Sequence, residues 1–132
     1  DLKALLGKAD LLVLDVPCSN TGVLPRRVEA AHRMSPASMQ SLVELQRRIV
    51  EEHLPLLKPG GSLLYATCSL EPEENERQVE WITARLGKVQ PLIERHDPCG
   101  LPGEAPATYR DGAFLALWQD VSPRGRGTPA SR

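Results

Sequence analysis

The chain has 132 residues, enough for about one domain with a single core, and its acidic and basic residues nearly cancel, 17 against 16. That balance excludes a protein drawn to nucleic acid or to an acidic partner by its global charge, so any such contact has to be local. The three cysteines, at 18, 68 and 99, are odd in number, far apart and without a CxxC pair, which excludes a disulfide framework and a zinc knuckle.

Asp10 to Asp15, "DLLVLD", is a short continuous apolar run bounded by acids, the pattern of a strand buried on both faces of a parallel sheet. Val16 to Ser35 holds Pro17, Gly22 and Pro25 among polar residues with no period, an irregular segment long enough to be suspected of function. Ser35 before Pro36 supplies an N-cap and a proline at the first helical position. Leu42, Leu45 and Ile49, flanked by Val43, Val50 and Leu54, then predict an amphipathic helix whose last turn Pro55 distorts. "KPGG" is expected to end that element and to lead into a second buried strand, Ser62 to Ser69, "SLLYATCS".

Pro72 followed by Glu73, Glu74 and Glu76 reads as the first turn of a second helix, where the macrodipole favours carboxylates; Val79, Ile82 and Leu86 carry its apolar face to Gly87. These glutamates are therefore left out of the candidate site. Val89 to Glu94 is a strand weakened by Pro91, Arg95 to Asp111 is loop, and Gly112 to Gln119 is a firmer strand. The end of the chain, residues 121–132, contains "SPRGRGTPASR" and is expected to be a disordered tail after a partial domain over residues 1–120. The order strand, helix, strand, helix, strand, strand is an α/β reading, with right-handed crossovers joining parallel strands.

Ligands of such sheets bind outside the carboxyl ends of the strands. Asp15, Cys18 and Cys68 all fall there, and neighbouring strands about 4.8 Å apart would bring both thiols to one pocket. A thiolate is a strong carbon nucleophile that works through a covalent adduct on an electron-poor centre such as carbon 6 of cytosine. Carbon 5 then becomes nucleophilic towards a methyl group on a sulfonium, and a further acid or base has to take the proton from carbon 5, a task open to Cys18. A carboxyl group from Asp15 would hydrogen-bond the amino group and ring nitrogen during attack.

"DVPCSNTG" followed by "KPGGSLLYATCSLEPEENE" closely resembles the Nop/Sun family of S-adenosylmethionine-dependent RNA cytosine-5 methyltransferases, in particular the bacterial Fmu/Sun-type enzymes of small-subunit ribosomal RNA. The resemblance runs from about Leu11 to Leu117. It implies the carboxyl-terminal half of a Rossmann-like class I methyltransferase sheet, S-adenosylmethionine as cofactor and ribosomal RNA as partner. It further implies that Cys68 is the nucleophile, that Cys18 assists product release, that Asp15 lies against the sulfonium end of the cofactor and the target base, and that Pro17 shapes the loop around an extruded cytosine.

Arg26 and Arg27 match the basic pair that family members carry after "TGV", whereas Val28 stands where proline is common. With Arg33 they form a basic cluster able to meet phosphates, a solvated loop being the alternative. The glycine-rich cofactor turn of the family has no counterpart: Gly60 and Gly61 precede a strand instead of joining a strand to a helix. The chain begins at Asp1 with its first strand within about ten residues, so a longer parent domain is expected. His32, His53 and His96 lack metal-ligand spacing, so no metal is expected, and Cys99 is taken as a loop residue. No apolar stretch nears the roughly 20 residues of a membrane span, which with reduced thiols points to the cytoplasm and to no membrane partner. The competing readings are a non-catalytic remnant or RNA-binding module, and a DNA cytosine-5 methyltransferase in which Cys18 itself attacks.

Overall fold

In the computed structural model, which describes residues 2–101 and 103–122, the acid-bounded run forms β1 (Ala9–Asp15) and pairs in parallel with β2 (Leu57–Thr67), with Leu12 opposite Leu63 and Asp15 opposite Ala66. The crossover between them carries α1 (Glu29–Arg33), a short helix inside the segment predicted to be irregular, and α2 (Pro36–His53). Ser35 caps α2 as expected: its hydroxyl accepts from the Ser38 N–H at 3.1 Å, and Ser38 Oγ accepts from the Ser35 N–H at 2.9 Å, a capping box made with serine in place of glutamate. Pro55, which has no N–H to continue the helix, lies in a 3-10 turn over Leu54–Leu56.

Several boundaries differ from the sequence reading. The buried stripe of α2 is centred on Val43, Gln46 and Val50 instead of Leu42, Leu45 and Ile49, because a hydrogen-bonded glutamine occupies its middle. "KPGG" lies inside β2, where an irregularity in register next to Gly61 accommodates it. Glu71 to Asn75 form turns before α3 (Glu76–Arg85), so Glu73 and Glu74 are not in a helix's first turn. The weak strand is displaced past Pro91, which has no N–H for a ladder, to β3 (Ile93–Asp97). Val121, assigned to the tail, ends β4 (Ala113–Val121) and is buried; residues 123–132 of that tail lie outside the described residues.

The sheet order is β1-β2-β4-β3, with β4 antiparallel to both neighbours, so β2 and β3 run the same way and β4 is inserted between them. One sheet face holds Leu12, Leu14, Leu63, Tyr65, Phe114, Ala116 and Trp118, in a core with Val50 of α2 and Val79 and Ile82 of α3. On the other face of β1, Leu11 and Val13 are 53% and 54% exposed. This corrects the expectation of a strand buried on both sides, since none of the described helices packs over that face. The arrangement is the partial α/β sheet expected, with the carboxyl ends of β1 and β2 meeting at one rim.

Candidate active site

Because β1 and β2 are adjacent and parallel and end in register, the chain leaves both at the same rim. Asp15 closes β1 and the loop Val16 to Gly22 follows; Thr67 closes β2 and Cys68 follows. The Cys18 and Cys68 sulfur atoms lie 3.1 Å apart. The convergence expected from strand-end position is therefore present.

Backbone contacts hold the loops together. The Val16 N–H donates to the Ala66 carbonyl at 3.2 Å, the Gly22 N–H to the Cys68 carbonyl at 2.9 Å, and the Gly112 N–H to the Gly22 carbonyl at 2.7 Å. A Cβ on Gly22 would stand 2.6 Å from the Cys68 carbonyl oxygen and 2.7 Å from that of Gly112, so only glycine fits at this junction.

Below the sulfur atoms lies a buried polar floor. Glu74 is 0% exposed and accepts from the Ser19 N–H at 2.9 Å, the Ser19 hydroxyl at 2.5 Å and Gln46 Nε2 at 2.9 Å. Its carbonyl accepts from the Tyr65 hydroxyl at 2.8 Å, and Gln46 Nε2 also donates to the Pro17 carbonyl at 3.0 Å. On the Cys68 side the Thr67 hydroxyl donates to Asn75 Oδ1 at 2.7 Å, and Asn75 Nδ2 donates to the Ser69 carbonyl at 2.8 Å. Ser19 and Ser69 close the circuit through their hydroxyls, 3.1 Å apart. A buried carboxylate is tolerated only when its oxygens are satisfied in this way.

The two thiols are not equivalent. A hydrogen bond from Cys18 stabilises the Cys68 thiolate and draws its pKa down to about 7, outweighing burial and the nearby charges of Asp15 and Glu74, which push it up. The same hydrogen bond, with burial added, pushes the Cys18 thiol far up. Asn20 Oδ1 lies 3.0 Å from Cys68 Sγ and accepts from it while it is a thiol, and Asn20 Nδ2 donates to the Cys18 carbonyl at 3.1 Å. Asn20 makes these bonds from a left-handed conformation, φ 62°, which asparagine tolerates better than most residues.

Of the other predicted positions, Asp15 is exposed on the rim and close enough for its charge to act on Cys68. Pro17 is exposed, with its carbonyl tied to Gln46. Arg27 lines a pocket beside Cys18; Arg26 does not line it, and its Nε is 3.3 Å from Asp111 Oδ1 in an ion pair without hydrogen-bond geometry. Asn20 and Gln46 were not singled out from the sequence, and Glu74 was set aside as a helix-start carboxylate. Gln46 had a usable signal, a polar residue three after Val43 and four before Val50; Glu74, within a run of acids, had none. Among the described residues no group of three or more His, Cys, Asp or Glu is placed to hold a metal ion, and no helix is long and apolar enough to cross a membrane.

Residues 2–101 match the family model described as 16S rRNA methyltransferase RsmB/F. Ribosomal RNA small subunit methyltransferase F of Cronobacter sakazakii is 40% identical over 118 residues, covering 89% of this chain and 24% of that protein. Methyltransferase B of the same organism is 42% identical over 116 residues, covering 81% and 25%. A solved methyltransferase homolog protein from Pyrococcus horikoshii superposes with a TM-score of 0.61 at 28% identity, over 85% of this chain and 39% of that one. The chain thus spans about a quarter of the length of these curated relatives.

Proposed function

The chain belongs to the RsmB/F family of 16S rRNA methyltransferases, and on that premise we propose that its paired thiols serve methylation of carbon 5 of a cytosine in ribosomal RNA, in the cytoplasm. The observation that carries this reading is the 3.1 Å contact between two sulfur atoms of opposite acidity at the strand-end rim. The chain as far as Val121, the last residue of β4, is read as the later part of the catalytic domain.

S-adenosylmethionine, the cofactor of this reading, supplies an electrophilic methyl group when bound. The residues present fit one end of it: the exposed Asp15 carboxylate is suited to a sulfonium, whereas no strand, glycine turn and helix in succession occur among the described residues to cradle the remainder. Cys68, an appreciable fraction of which is thiolate near neutral pH, forms the bond to carbon 6, and the ring electrons shift towards carbon 5. Asp15 accepts from the amino group of the base and orients it. Cys18 cannot act as a base while it donates to an anionic Cys68. Once the Cys68 sulfur is bonded to carbon, that anion is gone and the largest cause of the high Cys18 pKa goes with it. Cys18 then gives up its own proton to solvent and, as thiolate, takes the proton from carbon 5 of the methylated ring. The carbon 5–carbon 6 double bond re-forms, the Cys68 sulfur leaves as thiolate, and the hydrogen bond from Cys18 is restored.

Denaturing electrophoresis of the full-length protein with its substrate RNA tests this order. The expected result is a covalent protein–RNA adduct that accumulates with Cys18→Ala and is absent with Cys68→Ala. An adduct that survives Cys68→Ala but needs Cys18 would replace this reading with attack by Cys18.

A further inference from the structure

Beside the thiols, on the Cys18 side, lies a pocket of about 260 Å³. Cys18 forms one wall; Met34 and Leu42 supply apolar surface, while Arg27, Glu29 and Arg33 ring it with charge. None of these charges is engaged strongly. Arg27 and Glu29 approach only to 4.0 Å, both largely in solvent, and Arg33 has no ion-pair partner among the described residues.

The volume falls at or below the lower end of the range for small-molecule sites, about 300–1,000 Å³, which suits one planar ring and excludes a helix or a folded peptide segment. Aliphatic and thioether walls receive the face of a nucleobase, guanidinium groups receive phosphate, and a carboxylate only accepts hydrogen bonds. The position is equally restrictive: Cys18 and Asn20 both line this pocket and both contact Cys68 Sγ, so a base in it sits next to the base under attack.

We propose that this pocket holds the nucleotide adjoining the target cytosine in the RNA strand, with its phosphate on Arg27 and Arg33 and its edge on Glu29. The assignment rests on the cytosine reading above. Because Glu29 offers only acceptors, the pocket favours a neighbour with an exocyclic amino group, adenine, guanine or cytosine, over uracil, whose single edge donor, N3–H, is flanked by two carbonyl oxygens that a carboxylate repels.

The test uses the full-length protein and a pool of single-stranded RNAs that hold one cytosine between randomised neighbours, with methylated cytosines read by bisulfite sequencing. One flanking position is expected to show about tenfold depletion of uracil, the discrimination of one good base-edge contact. Glu29→Gln, which adds a donor, should relax that preference, and Arg33→Ala should raise KM with kcat little changed. Glu29, Arg33 and Met34 are all exposed, so these variants and Met34→Ala should fold. Methylation without any neighbour preference, or with a preference unmoved by Glu29→Gln and Met34→Ala, overturns the pocket assignment and leaves the cytosine reading standing. Absence of cytosine methylation together with absence of a Cys68-dependent adduct overturns both.

Discussion

Two stretches of the same crossover are built by opposite means. From Val16 to Gly22 the chain is pinned from below: Ser19 to Glu74, Gly22 to the Cys68 carbonyl, the Pro17 carbonyl to Gln46. From Leu24 to Met34 it is a mostly exposed arm with the short helix α1 and surface ion pairs, Arg26 with Asp111 and Arg27 with Glu29. The first stretch fixes the spacing of two sulfur atoms; the second presents charge. Buried hydrogen bonds impose geometry because leaving any of them unmade is costly, whereas exposed ion pairs tolerate rearrangement.

The largest test of that contrast is Glu74→Leu. It removes the acceptor for the Ser19 N–H, the Ser19 hydroxyl and Gln46 Nε2 inside the protein, so destabilisation of about 3 kcal/mol or more is expected, because each stranded buried donor costs roughly 1–3 kcal/mol. Urea unfolding reads it. A loss below about 1 kcal/mol would mean that the floor is dispensable.

Gly22→Ala comes next. The added methyl meets backbone carbonyl oxygens at 2.6 and 2.7 Å, and backbone cannot rotate away as a side chain tip does. Overpacking of this kind costs about 1–3 kcal/mol. The sharper readout is chemical: separating the loops weakens the sulfur contact, so the pH at which Cys68 becomes reactive should rise along with the loss of stability.

Cys18→Ala isolates that chemical effect. In the parent protein under reducing conditions, alkylation of Cys68 by iodoacetamide should rise with pH through a midpoint near 7, because a lowered pKa means thiolate above it and thiol below it. Without the hydrogen bond from Cys18, the main cause of the lowering is gone. Burial and the charges of Asp15 and Glu74 remain and push upward, so the midpoint should move towards or beyond the ordinary 9.0. An unmoved midpoint would show that the sulfur contact does not set the acidity.

The same contrast explains what could be read from the sequence. Local signals found the Ser35 cap, the strand β1 though not its single buried face, the Val79, Ile82 and Leu86 face of the last helix, and both thiols at strand ends, since each depends on residues within a few positions. The floor was hidden because it is non-local: Glu74 is separated by 55 residues from Ser19, and in "EPEENE" it looks like any solvated acid. The position of β4 between β2 and β3 was hidden for a similar reason, because strand order is a property of pairing partners, not of strand patterns.

The smallest predicted effect lies on the arm. Arg26 was expected to face the substrate but pairs with Asp111, and with its side chain 70% exposed the pair should contribute about 0–1 kcal/mol. Arg26→Ala should therefore leave the unfolding midpoint nearly unchanged. If Arg26 releases Asp111 to meet phosphate, the variant should weaken RNA binding and reduce its salt dependence by about one counterion. If the ion pair persists in the complex, Asp111→Ala should free the guanidinium and tighten binding, while Arg27→Ala alone shows the loss. Comparing the three variants in a salt titration of RNA affinity decides which arginine of the arm carries the contact.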